Sequence, residues 1–166
     1  MDREKLLAEA EAFFCRGMAT DSYASGAKAH PVEDWLGWEA YEYREGDLRL
    51  VDMYTVDPDT GKSFGNTYIH YQGRTIWMMS YGGFYKKEAT PCLKSALMAN
   101  YTRGIFDMGR GQNGFADGAY IYLIGSYNPS CSFERFYARE GIRQHVPGGK
   151  ELESVGGHEV WGMAVI

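Results

Sequence analysis

A few residues in this chain could carry chemistry, and each needs a particular neighbour to do so. His70 lies in a stretch of strand-forming residues, where a histidine works as a general base or a ligand only if a carboxylate orients it. Asp52, on the strand expected beside it, is the candidate partner. Without that partner His70 reads as a hydrogen-bonded sheet residue. Tyr54, Tyr68, Trp77 and Tyr81 fall on strands expected to be adjacent, and their polar tips want partners when the rings are buried. Such a set lines a ligand pocket or fills the core of a curved sheet, and the sequence leaves both open. The candidate binding residues are therefore Asp52, Tyr54, Tyr68, His70, Trp77 and Tyr81.

Other patterns fail on context. Gly109-Arg110-Gly111-Gln112-Asn113-Gly114 matches the GxGxxG dinucleotide fingerprint, which works only between a strand and a helix N-terminus. Here it follows a helix and precedes a strand, so a mobile loop is expected. His158-Glu159 begins HExxH, but Gly162 stands where the second histidine belongs. Glu134 and Glu140 flank Arg135 and Arg139, the pattern of a solvated, salt-bridged face. Cys15, Cys92 and Cys131 are odd in number and lack CxxC spacing, so they read as reduced thiols. Cys92, at a helix start, is the most reactive by position, because helix N-termini lower thiol pKa. There is no GxSxG elbow. No catalytic residue, metal site or cofactor is assigned.

The elements that must position these residues follow from period and punctuation. The central piece runs from Ser63 to Gly83, two arms of β-branched, aromatic and Met residues reversing at Gln72-Gly73. Its period of two sets Thr75, Trp77, Met79 and Tyr81 on one face, and Arg74, Ile76, Met78 and Ser80 on the other. Before it, Asp2 caps an amphipathic helix with Leu6, Leu7, Ala10, Phe13 and Phe14 on one side, ended by Gly17. Thr20–His30 reads as an ordered loop and possible lid. A hairpin turning at Arg44–Asp47 and a turn at Asp57–Gly61 complete a four-stranded meander. After it, Thr90 as N-cap and Pro91 at the first position open a second helix that stops before Gly104. Three more strands follow, AYIYLIGSY, CSFERFYARE and HEVWGMAVI, the first two joined by a turn at Asn128-Pro129-Ser130. Ser63-Phe64, Tyr68 and Trp77 are weakly echoed by Ser132-Phe133, Tyr137 and Trp161, as two similar strand pairs would produce.

Composition agrees with a sheet. Of 166 residues, 15% are aromatic, including 13 Tyr, and 21 are Gly, a mixture that favours strands and tight turns. The net charge of −5 is uneven, with 6 Lys/Arg against 11 Asp/Glu in residues 1–50 and 11 of each thereafter. No basic run or stripe occurs, which argues against direct nucleic-acid binding and against an anionic membrane surface. The charged start MDREKLL and the lack of a long apolar stretch point to a cytoplasmic protein of bacterial type.

Tyr43-Arg44-Glu45-Gly46-Asp47, Asp52-Met53-Tyr54, Phe64-Gly65, Tyr71-Gln72-Gly73 and the stretch Trp77, Met79, Tyr81, Gly83 carry a resemblance. In order and spacing the chain resembles a bacterial family of unknown function whose members occur alone or fused behind a helix-turn-helix, repressor-type DNA-binding domain. Ser80 stands where that family usually has Asn, and Asn66 where it usually has an acid. The resemblance implies a compact α+β domain that serves as the sensing or partner-binding half of a regulator. The expectation is one α+β domain over residues 1–166, a strongly bent, barrel-like antiparallel sheet of about seven strands with an N-terminal and a mid-chain helix. The function expected is non-catalytic binding of a small molecule or protein partner on an aromatic-lined concave face. The alternatives are a small hydrolase or transferase using His70 with a carboxylate, or a structural homodimer without ligand.

Overall fold

The computed structural model describes residues 2–126, 130–146, 148–149 and 151–166. The turn expected at Asn128-Pro129 therefore lies outside the described residues. Asp2 accepts the Glu4 amide at 3.0 Å and so starts α1 (Arg3–Thr20), whose Leu6, Leu7, Ala10, Phe13, Phe14 and Met18 are buried. Gly17 does not end this helix, which runs one turn further. A Cβ there would stand 3.0 Å from the Tyr43 ring, so the glycine lets the helix sit close on the sheet. The second helix, α2 (Thr90–Tyr101), follows a 3₁₀ turn at Lys87–Ala89, and its cap position is Ala89, not Thr90.

Among the described residues, nine strands form one antiparallel sheet. They are β1 (His30–Pro31), β2 (Trp38–Glu45), β3 (Leu48–Val56), β4 (Lys62–Tyr71), β5 (Arg74–Tyr85), β6 (Phe115–Asp117), β7 (Tyr120–Gly125), β8 (Arg135–His145) and β9 (Leu152–Ala164), in the order β1-β2-β3-β4-β5-β9-β8-β7-β6. The count exceeds the expected seven by β1 and β6, each too short to show a period of two. The barrel-like expectation is also corrected: β1 and β6 are edges that pair with nothing further, and the sheet neither closes nor curls strongly. Gln72 and Gly73 both take positive φ, 49° and 80°, the conformation of a tight hairpin turn.

Two meanders, each preceded by a helix, meet along β5 and β9. The echo in the sequence does not follow this arrangement, because Trp77 is fully buried whereas Trp161 is 42% exposed. Both helices lie on one face, where Phe13, Phe14, Leu50, Ile69, Trp77, Met79, Leu97 and Val160 share a core. A bulge between β4 and β5 turns Ile76 into that core as well, against the simple alternation. Among the described residues, no helix is long and apolar enough to cross a membrane.

Candidate functional site

Register fixes which side chains meet on the helix-covered face. Three rows cross the middle of the sheet: Asp52, Thr67, Met79 and Gly162; then Tyr54, Gly65, Tyr81 and Val160; then Ser63, Gly83, His158 and Glu140. The glycines shape the last two. A Cβ on Gly65 would stand 2.3 Å from the Tyr81 ring, so that ring lies over the glycine and its hydroxyl donates to Asp52 Oδ1 at 3.1 Å. A Cβ on Gly83 would come 2.8 Å from His158 Cδ2, so the imidazole leans across this position and Nε2 meets Ser63 Oγ at 2.9 Å.

Glu140 is the most heavily engaged group. Arg110 donates to it through Nε at 2.9 Å and Nη2 at 2.5 Å, and the Tyr122 hydroxyl donates at 2.5 Å. His158 Nδ1 stands 3.3 Å from Glu140 Oε1, within ion-pair distance though not aligned as a hydrogen bond. Burial alone would push the Glu140 carboxyl up, but the Arg110 guanidinium and His158 outweigh it and hold the group well below the usual carboxylate range. Asp52 goes the other way. Burial raises it, and the hydrogen bonds from Thr67, at 2.8 Å, and Tyr81 only partly offset that.

Arg110 comes from the glycine-rich segment expected to be mobile, and the structure corrects that expectation. Gly109, Arg110 and Gly111 are buried. Asn100 Nδ2 donates to the Arg110 carbonyl at 3.1 Å, the Tyr101 hydroxyl to the Gly109 carbonyl at 2.9 Å, and the Gly111 amide to the Tyr122 hydroxyl at 3.1 Å. Gly109 has φ +70°, and a Cβ on Gly111 would stand 2.9 Å from the α2 backbone at Ala96. The glycines are there to let a strap pass under the helix and deliver a guanidinium into the core. That guanidinium also lies 5.1 Å from the centre of the Tyr81 ring.

Between this floor and α2 is a cavity of about 230 Å³, with Asp52, Tyr54, Tyr81, Tyr85, Arg110 and His158 on the sheet side and Leu93 and Leu97 opposite. Tyr23 and Ala24 also line it. Their segment is fastened by Ser22 Oγ to the Met18 carbonyl at 2.6 Å and Ser25 Oγ to the Ser22 carbonyl at 2.9 Å. Tyr23 packs edge-on against Tyr54, and Lys94 Nζ lies 4.0 Å from its ring centre. Besides His158 Nδ1, two polar atoms on this cavity make no hydrogen bond to the described residues. The Tyr85 hydroxyl is buried without a hydrogen bond, and Arg110 Nη1 donates to no described residue.

Of the residues singled out in the sequence, Asp52, Tyr54 and Tyr81 line this cavity. Trp77 shares their face but belongs to the core: Nε1 donates to the Phe133 carbonyl at 2.7 Å and the indole stacks on that ring at 4.9 Å. Tyr68 and His70 point to the uncovered face, since Thr67 beside Asp52 is an odd number of residues away from each. His70 meets Thr75 Oγ1 at 3.1 Å, so the His70–Asp52 pair does not form. Cys92 is buried at 1% exposure and its thiol is pushed up, not down. Glu134 is exposed, as read, and pairs with Arg3 at 3.0 Å; Glu140 is not. In the sequence Arg110, Glu140 and His158 stand only in patterns that fail on context or read as a solvated face, and Tyr85 stands in none. The signal for Glu140 was its place on the same alternation as Phe136, Ala138 and Ile142, all buried.

In comparisons with known proteins, no family model, no curated protein and no solved structure matches the chain.

Proposed function

We propose that the chain is a binding or sensing domain that takes a small, largely apolar molecule with one polar end into the cavity between the sheet and α2. The observation that carries this reading is the cavity floor: Arg110 Nη1, which donates to none of the described residues, beside an Asp52 carboxyl pushed up by burial. Arg110 is already neutralised by Glu140, so the floor favours an uncharged accepting group, such as a carbonyl or hydroxyl, over a full anion. Tyr54, Leu93 and Leu97 supply apolar walls, and the volume of about 230 Å³ is below the usual lower bound of ligand pockets, about 300 Å³, which limits the occupant to a small molecule. A sensing role, and a place in the cytoplasm, belong to this proposal. Native mass spectrometry of the purified full chain, under gentle and then denaturing conditions, tests it. A small-molecule adduct released on denaturation is expected, and Ala24→Trp, which fills the cavity from its cover, removes it. A bare polypeptide under both conditions overturns the reading.

A second reading is favoured by the uncovered face. Tyr137 and Trp161 are cross-strand neighbours, each 42% exposed, and Met163 beside them is 39% exposed. A homodimer through this face covers an apolar patch of that kind. Sedimentation at rising concentration tests it, and a monomer throughout rules it out.

A further inference from the structure

We propose that Ser63, His158 and Glu140 form a nucleophilic relay, and that the cavity accepts small carboxylic esters for acyl transfer to Ser63. The three residues occupy one row across four adjacent strands, with Gly83 as the only other member: Ser63 pairs Gly83, Gly83 pairs His158, and His158 pairs Glu140. The imidazole lies between its neighbours, with Nε2 2.9 Å from Ser63 Oγ and Nδ1 3.3 Å from Glu140 Oε1, within ion-pair distance but not aligned as a hydrogen bond. A proton on Nδ1, the tautomer an ionised Glu140 favours, leaves Nε2 to accept the serine proton. Arg110 and Tyr122 hold Glu140 in place, which makes them positioning residues. Ser63 is half-buried and, with His158, lines the same cavity as Arg110. The relay needs no sequence elbow, because the sheet register supplies the spacing. It also restores the hydrolase alternative with a different histidine, His158 in place of His70.

The chemistry closes without a further cofactor. Ser63 Oγ bonds to the ester carbonyl carbon while its proton passes to His158 Nε2. The C–O bond to the alcohol then breaks, and the alcohol leaves with that proton. Water repeats the sequence on the acyl-serine, releasing the acid and restoring the hydroxyl.

The test is intact-mass analysis of the full chain after incubation with a fluorophosphonate, a reagent for activated serines, with peptide mapping of the adduct. One phosphonyl group on Ser63 is expected. Ser63→Ala should abolish labelling, and His158→Gln should slow it by about 10²-fold or more, each checked for native near-UV circular dichroism. If His158→Gln does not fold, the Ser63→Ala result and the mapped site decide alone. No adduct on the folded chain, an adduct elsewhere, or equal labelling of Ser63→Ala overturns the relay. The inference rests on the cavity reading, yet the two fail separately. A chain that retains a small molecule but never labels loses only the relay, and one that labels at Ser63 but carries no adduct loses only the sensing role.

Discussion

Asp52 and Glu140 lie on the same face of the same sheet, each 2% exposed, and burial acts on both in the same direction. Their outcomes diverge because of what the chain brings to them. Asp52 receives two hydroxyls, from Thr67 and Tyr81, and its carboxyl is raised. Glu140 receives a two-point guanidinium, a phenol and an imidazole, and is lowered. Hydroxyls soften the loss of water around a carboxylate, whereas a cation reverses its effect. The N-terminal meander therefore contributes a carboxyl whose pKa is raised by burial, and the C-terminal one a carboxyl whose pKa is lowered by its cation.

The sharpest way to break this comparison is to remove the cation. Arg110→Met strands an uncompensated carboxylate, and urea denaturation should show a loss of about 3–5 kcal/mol. Adding Glu140→Gln to it should recover much of that loss; if the double variant is no more stable than the single one, the pair is not what holds the strap. Next in size is Gly65→Ala, which drives a methyl into the Tyr81 ring and takes the phenol off Asp52. A cost of about 1–3 kcal/mol is expected from such overpacking, and near-UV circular dichroism should report the displaced tyrosine.

The smallest effect is one of pH. Asp52 has a raised folded pKa, so its contribution is fully present below its ordinary value of 3.8 and fades as pH rises toward the folded value. Glu140 has a lowered one, so its contribution is present above 4.5 and fades as pH falls. Denaturation curves from pH 3 to pH 8, about the range in which carboxyls titrate, should show that Asp52→Asn removes a falling limb. Its advantage over the parent should grow with pH. A rising difference on acidification would invert the assignment.

Most of the scaffold was legible because its signals are local. Gln72-Gly73 needs positive φ, Pro91 suits a helix start, and Leu6, Leu7, Ala10, Phe13 and Phe14 repeat at helical spacing. Half of the floor was legible too, since Asp52, Tyr54 and Tyr81 stand on strands with plain alternation. What was missed depends on contacts between distant parts of the chain. His158 and Ser63 are 95 residues apart and meet only because Gly83 between them has no side chain. Arg110 sits in a segment whose glycines look like slack in one dimension and turn out to be clearance for α2. His70 misled for the opposite reason: it has the right residue type on the right strand, but the wrong parity.

The two outermost strands have a further consequence. β1 is two residues long and ends in proline, and β6 has three residues, while the strands of ten or more residues, β4, β5, β8 and β9, are all interior. β1 pairs only with Glu39 and Ala40 of β2, so an extended chain approaching that border would meet the outer side of Tyr41–Glu45. That stretch carries Glu42, Arg44 and Glu45, and charge on an open border discourages edge-to-edge pairing, so concentrated solutions should resist thioflavin-positive assembly.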